Sequence, residues 1–286
     1  MAPSRKTSVM SWDANAAGAG AWAAAEVPDL DEDRERGASS AWLRGKLYVI
    51  GGIVGADENS KQCHRWDPAN PAAGWERVAD LGTGRHLHAA AVLGGALYAI
   101  GGTIVIASVS VERYDPDTNA WAAVAPMAIA RTNMATVVLD DKMYVFGGFG
   151  IGAALLKSCE CYNAATGAWE ALPDMQHRRL ASAAAAAAFD GKLWVTGGYG
   201  ADACPLASVV VYDPASNTWD QTKADMTTAR RWHVAVVLNG ELHAVGGEGG
   251  ERSVEKYDPG SNSWAVVPAM QLPEGRSGGS GAAVNR

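Results

Sequence analysis

Leu97-Tyr98-Ala99-Ile100-Gly101-Gly102 decides how this chain is read, because the same stretch recurs. The other copies are Leu47-Tyr48-Val49-Ile50-Gly51-Gly52, Met143-Tyr144-Val145-Phe146-Gly147-Gly148, Leu193-Trp194-Val195-Thr196-Gly197-Gly198 and Leu242-His243-Ala244-Val245-Gly246-Gly247. Their first glycines lie 50, 46, 50 and 49 residues apart. Each copy is a short apolar strand closed by two glycines. Such a pair lets the backbone bend sharply and lets a neighbouring group approach closely.

The surroundings repeat as well. Downstream, a second run ends in Trp66-Asp67-Pro68, Tyr114-Asp115-Pro116, Tyr162-Asn163, Tyr212-Asp213-Pro214 and Tyr257-Asp258-Pro259. Asp at that place can accept from the backbone amide two residues on and so open a turn. A Trp follows each time: Trp75, Trp121, Trp169, Trp219 and Trp264. Upstream, an apolar run such as Ala89–Leu93 or Val234–Leu238 leads through a tight turn into the Gly-Gly strand. Asp190-Gly191 and Asn239-Gly240 suit two-residue hairpins. Each unit therefore reads as four short antiparallel strands. One such sheet cannot cover its own faces, but sheets stacked around an axis cover each other.

The order Arg, apolar strand, Gly-Gly, Tyr-Asp-Pro, Trp resembles the kelch repeat, whose period is about 50 residues. The resemblance spans nearly the whole chain and implies an all-β, six-bladed kelch β-propeller forming a single domain over residues 1–286. Complete units are expected at about 34–83, 84–129, 130–177, 178–228 and 229–274. A sixth, split blade is expected from 8–25, carrying Trp12 and Trp22, together with 276–286. No second strand with a sixth Gly-Gly follows before Arg286, so this blade could be incomplete. The poly-Ala run Ala183–Ala188 has helical propensity, yet the repeat frame makes it a strand. Its unit is two residues longer than its neighbours between Arg and Gly-Gly, which predicts a two-residue bulge or a looser turn.

Composition narrows the function. With 48% hydrophobic and 19% charged residues the chain can bury a large core. Its net charge of −7 leaves no basic excess for phosphates, so nucleic acid is not an expected partner. No apolar run is long enough for a membrane span. The N-terminus lacks a secretory apolar region. Four cysteines without zinc or disulfide spacing fit a reduced cytoplasmic or nuclear setting. A monomer without cofactor or metal is expected.

Several motifs suggest chemistry in isolation. Gly148–Ala153 fits a dinucleotide fingerprint, but no βαβ unit surrounds it. Glu170, Asp174 and His177 resemble, one residue short, the iron motif of kelch-type nitrile specifier proteins, yet the stretch also fits the linker that follows each repeat Trp. Cys159 and Cys161 lack a second ligand pair. His88 and His233 fall in units two and five, opposite each other in a six-bladed ring, too far apart to share one metal.

One recurring feature stays open. Arg85, Arg131, Arg179, Arg230 and Arg276 each precede a first strand, with Arg36 or Arg34 in the first unit. First strands line a propeller axis, so these residues would form a ring on one face. Guanidinium suits bidentate carboxylate recognition. Similarity to kelch domains of ubiquitin-ligase adaptors implies that the ring, with His88 and His233, could grip a partner protein or acidic peptide. The structural alternative is that each Arg pairs with a neighbouring blade's carboxylate. The loops after Gly-Gly (53–59, 103–108, 149–156, 199–206 and 248–251) differ between units and form a second candidate surface. No BTB or F-box region is expected in the residues before the first complete unit, so any link to ubiquitination would need another chain. The competing reading is a small-ligand enzyme on the same scaffold, such as a sialic-acid epimerase or mutarotase. It would need an acid or base, for which His88, His233 and His86 are the candidates. No catalytic constellation is evident, so a non-enzymatic interaction module is the leading expectation.

Overall fold

The computed structural model describes residues 10–13, 21–24, 27, 30, 34–55, 58–103, 106–176, 180–200, 204–273 and 275. Five four-stranded antiparallel sheets follow the sequence repeat. The first contains β4 (Ser39–Leu43), β5 (Lys46–Ile50), β8 (Cys63–Trp66) and β9 (Trp75–Val78). The second contains β10 (Ala89–Leu93), β11 (Ala96–Ile100), β12 (Val111–Asp115) and β13 (Ala120–Val124). The third runs β14 (Ala135–Leu139), β15 (Lys142–Phe146), β16 (Cys159–Asn163) and β17 (Ala168–Leu172). The fourth runs β18 (Leu180–Phe189), β19 (Lys192–Tyr199), β20 (Val209–Asp213) and β21 (Thr218–Asp220). The fifth runs β22 (Val234–Leu238), β23 (Glu241–Val245), β24 (Val254–Asp258) and β25 (Ser263–Val266). Strands β3 (Arg34–Arg36), β6 (Ile53–Val54) and β7 (Glu58–Asn59) add a small sheet to the loop end of the first unit.

Inner strands β4, β10, β14, β18 and β22 pack side by side in that order, so the sheets are propeller blades around one axis. Strands β22 and β4, at the two ends of the series, do not pack on each other in this way among the described residues. Beside this seam, β1 (Met10–Asp13) and β2 (Ala21–Ala24) pair as an antiparallel hairpin, with Trp12 opposite Trp22. Strand β2 lies against the 3₁₀ turn Pro268–Met270 that leaves the fifth blade. Five four-stranded blades are therefore described where six blades were expected. The terminal stretch 276–286, to which an inner strand of the sixth was assigned, lies outside the described residues.

The repeat residues explain how blades join. The second glycine of a pair donates its amide to the carbonyl of the Arg that opens the next blade: Gly52 to Arg85 at 2.9 Å, Gly102 to Arg131 at 3.0 Å, and Gly198 to Arg230 at 2.9 Å. The first glycine packs on that same segment. A Cβ on Gly51 would lie 2.6 Å from the Arg85 oxygen and 2.9 Å from the His88 ring. At the rim, the Trp indoles of the second to fifth blades donate to the end of the preceding blade: Trp121 to Ala79, Trp169 to Ala125, Trp219 to Pro173 and Trp264 to Ala224. Between blades the aromatics of successive units touch, as Tyr98 on Tyr162 and Trp194 on Tyr257, with centroids 5.8 and 4.6 Å apart. The Asp turns form as expected: Asp115, Asp213 and Asp258 accept from the amides of Asp117, Ala215 and Gly260. In the fourth blade the pairing shifts by two residues between Leu180 and Ala184, which is the expected bulge, and poly-Ala is strand.

Candidate functional site

Arg85, Arg131 and Arg230 are fully buried. Arg131 donates from Nη1 to the carbonyls of Gly147 (2.8 Å) and Ser158 (2.9 Å), and from Nη2 to Glu160 (2.8 Å). Arg85 meets Gly101, Ser110 and Glu112 in the same way, and Arg230 meets Gly246, Ser253 and Glu255. The carboxylates also accept backbone amides of the linker leading into the blade: Gly82 and Thr83 on Glu112, Ala128 and Ile129 on Glu160, Thr227 and Thr228 on Glu255. Each Arg–Glu pair thus locks the linker to the third strand of its own blade. Two expectations are corrected. These three guanidiniums present no exposed fork to an acidic peptide, because they sit under the linker. Nor is the paired carboxylate on a neighbouring blade.

The remaining ring positions differ. Arg36 pairs with Ile53 as Arg231 pairs with Glu248, so it stands one residue past the buried Arg position rather than in it. Its side chain, like Arg179 and Arg276, lies outside what the structure describes. Position by position, the Glu of the third strand is replaced by His64 in the first blade and Val210 in the fourth. Sequence reasoning missed this Glu. The signal was present: Glu112, Glu160 and Glu255 stand two residues before Tyr in the very units that carry the buried Arg.

His88 and His233 are buried and line the central cavity, of about 190 Å³, with Ser39, Met134, Thr136 and Ala184. His233 Nε2 lies 2.8 Å from the Thr196 hydroxyl. Burial, and then the charge of Arg230, push its pKa down to about 3. Neither His faces the outer surface. Burial raises the Cys159 and Cys161 thiols to about 12 and about 11, so they stay protonated rather than forming a thiolate pair. Among the described residues no cluster of His, Cys, Asp or Glu could hold a metal. Asp174 pairs with Lys157, while His177 lies outside the described residues. Gly148–Ala153 is loop and 3₁₀ turn, with no helix to present to a phosphate.

Five large apolar residues are exposed among the described residues: Ile129 in the linker into the third blade, Val266 on the outer strand of the fifth, and three at the loop end. Ile106 (62%) and Ile151 (66%) project from the loops of the second and third blades, and Trp232 (37%) from the segment entering the fifth. Trp232 occupies a repeated left-handed position, φ +55°, shared by Gly37, Leu87 and Asn133. Leu87 donates its amide to the Gly37 carbonyl and Asn133 to that of Leu87, so these residues chain around the mouth of the cavity. Arg231 stacks between rings, 4.7 Å from the Tyr199 centroid and 4.4 Å from that of Trp232. Glu248 grips its guanidinium at 2.9 and 2.6 Å.

Comparison with known proteins bears on this arrangement. Residues 88–286 match the family model described as the KLHDC2/KLHL20/DRC7 Kelch-repeats domain. The chain belongs to the kelch-repeat family. This kelch propeller is 29% identical to Kelch-like protein 25 of Xenopus tropicalis over 258 residues, covering 85% of the chain and 43% of that protein. It is 35% identical to human Kelch-like protein 35 over 120 residues, 42% of the chain and 20% of the relative. The chain therefore spans less than half the length of these curated relatives. A solved structure, that of YjhT, superposes with a TM-score of 0.73 over 92% of this chain and 91% of that one. At 16% identity it shows the fold alone. Among the described residues no helix is long and apolar enough to cross a membrane.

Proposed function

We propose that this kelch propeller is a protein-interaction module, and that its partner contacts the loop face around the cavity mouth. The observation that carries the reading is the exposure of Ile106, Ile151 and Trp232 at that one end. Variable loops held at one end of a rigid scaffold are where binding residues concentrate. The family relationship supports the same class of function. A substrate-recognition role within a larger assembly is the finer form of this proposal, as are a monomeric state and the lack of catalytic activity. The enzymatic reading draws less support. It needs guanidiniums open to a sugar carboxylate, and the described ones are sealed by Glu. It also needs a base active near neutral pH, whereas His233 is held neutral far below that range. As part of the same proposal, a sixth blade containing the β1–β2 hairpin closes the ring between β22 and β4.

The test compares partners recovered from cell extract by the intact chain, by an Ile106→Ser/Ile151→Ser/Trp232→Gly variant, and by Arg44→Ala. Arg44 makes an exposed pair with Asp117 at the hairpin end, away from the loops. Partners lost only by the loop-face variant are expected. Partners kept by that variant and lost by Arg44→Ala would move the site to the other end.

A further inference from the structure

We infer that the loop face recognises its partner through an uncharged apolar or aromatic side chain seated on Trp232, and not through an acidic segment. This rests on the loop-face reading above and specifies the chemistry of the partner's contact segment. Trp, Tyr and Arg are the residue types that dominate binding energy at interfaces, and Trp232, Arg231 and Tyr199 are stacked together here. The stack is already organised in the free protein. Glu248 fixes the guanidinium through two hydrogen bonds, and two backbone hydrogen bonds join Arg231 and Glu248 (3.2 and 2.8 Å). A partner therefore has little to immobilise when it docks.

The charges of the stack select the anchor. An acidic residue arriving at Arg231 finds its cation occupied and the half-exposed carboxylate of Glu248 beside it. A basic residue arriving at Trp232 finds the ring face toward Arg231 already covered by a guanidinium, so it gains no cation–π contact there. An aliphatic or aromatic side chain meets neither penalty and removes apolar indole surface from water. The equivalent left-handed positions hold Gly37, Leu87 and Asn133, so among the described blades this aromatic belongs to the fifth alone.

The experiment selects a random 12-residue phage-displayed peptide library on the full chain and measures the affinities of the enriched peptides. The variant is Trp232→Gly, which places there the residue that the first blade uses and which accepts φ +55° without strain. Enriched peptides are expected to share Phe, Tyr, Trp, Leu or Ile without enrichment of Asp or Glu, and to bind Trp232→Gly at least tenfold more weakly. The inference is overturned if Asp, Glu, Lys or Arg sets the affinity, or if Trp232→Gly leaves it unchanged. Unchanged binding to Trp232→Gly that is lost in Ile106→Ser/Ile151→Ser would sink the anchor while leaving the loop-face reading standing. No enrichment, or peptides insensitive to every loop-face variant, would sink both.

Discussion

Arg131 and Glu160 are buried in the blade, and each would be costly alone. An unpaired charge left in such a site typically destabilises by about 3–5 kcal/mol, whereas replacing both partners by apolar residues is often close to neutral. Glu160→Ala should therefore lower unfolding free energy by that order, and Arg131→Met/Glu160→Leu should recover only part of it, because the amides of Ala128 and Ile129 still lose their acceptor, as read by urea denaturation. The fourth blade, with Val210 at the Glu position, already manages without the carboxylate. His233 gives a pH-dependent counterpart. Its pKa of about 3 in the fold lies below the 6.5 of an ordinary imidazole. The unfolded chain then takes up this proton first as pH falls, so the contribution is complete above pH 6.5 and lost progressively toward pH 3. The third blade carries Met134 at the equivalent place. His233→Met should accordingly show a urea midpoint that falls less steeply with acid than that of the parent. The recurrence of Arg was legible in the chain, but its burial was not. Position along a repeat says where a side chain starts, while the linker folding over it is a tertiary fact.

Strands, hairpins and Asx turns were legible because they follow from local chemistry. Short apolar runs, Asn-Gly or Asp-Gly pairs and Tyr-Asp-Pro ends act within a few residues of each other. Even the bulge in β18 could be counted from spacing. The two glycines of each pair differ in a way that spacing cannot show. The first is pressed by the next blade, as at Gly197, where a Cβ would stand 2.4 Å from the Arg230 oxygen and 2.7 Å from the His233 ring. Gly94, in a hairpin turn, also has positive φ (+57°) but nothing within 4 Å of such a Cβ. Gly94→Ala should then cost only the left-handed backbone term, about 1–2 kcal/mol. Gly197→Ala should cost clearly more, because backbone must move, and a pair of thermal melts would rank them. Equal losses would mean that the blade interface yields easily.

At the scale of the whole molecule, the ring was legible as a kelch propeller, while the proposed closure would draw on segments far apart in sequence. The periodicity defines five units, which are the five four-stranded sheets described. If the β1–β2 hairpin completes the ring beside Pro268–Met270, deleting residues 1–25 should lower the melting temperature by many degrees. An unchanged melt would show that the hairpin is an appendage. The amides of Gly52, Gly102 and Gly198 give this architecture a built-in set of gauges. Each of these protons is held by a carbonyl across a different blade boundary, and it exchanges with solvent deuterium only when that boundary parts. Hydrogen exchange at three backbone sites would thus report the breathing of three joints independently, and would reveal at which joint the ring first comes undone.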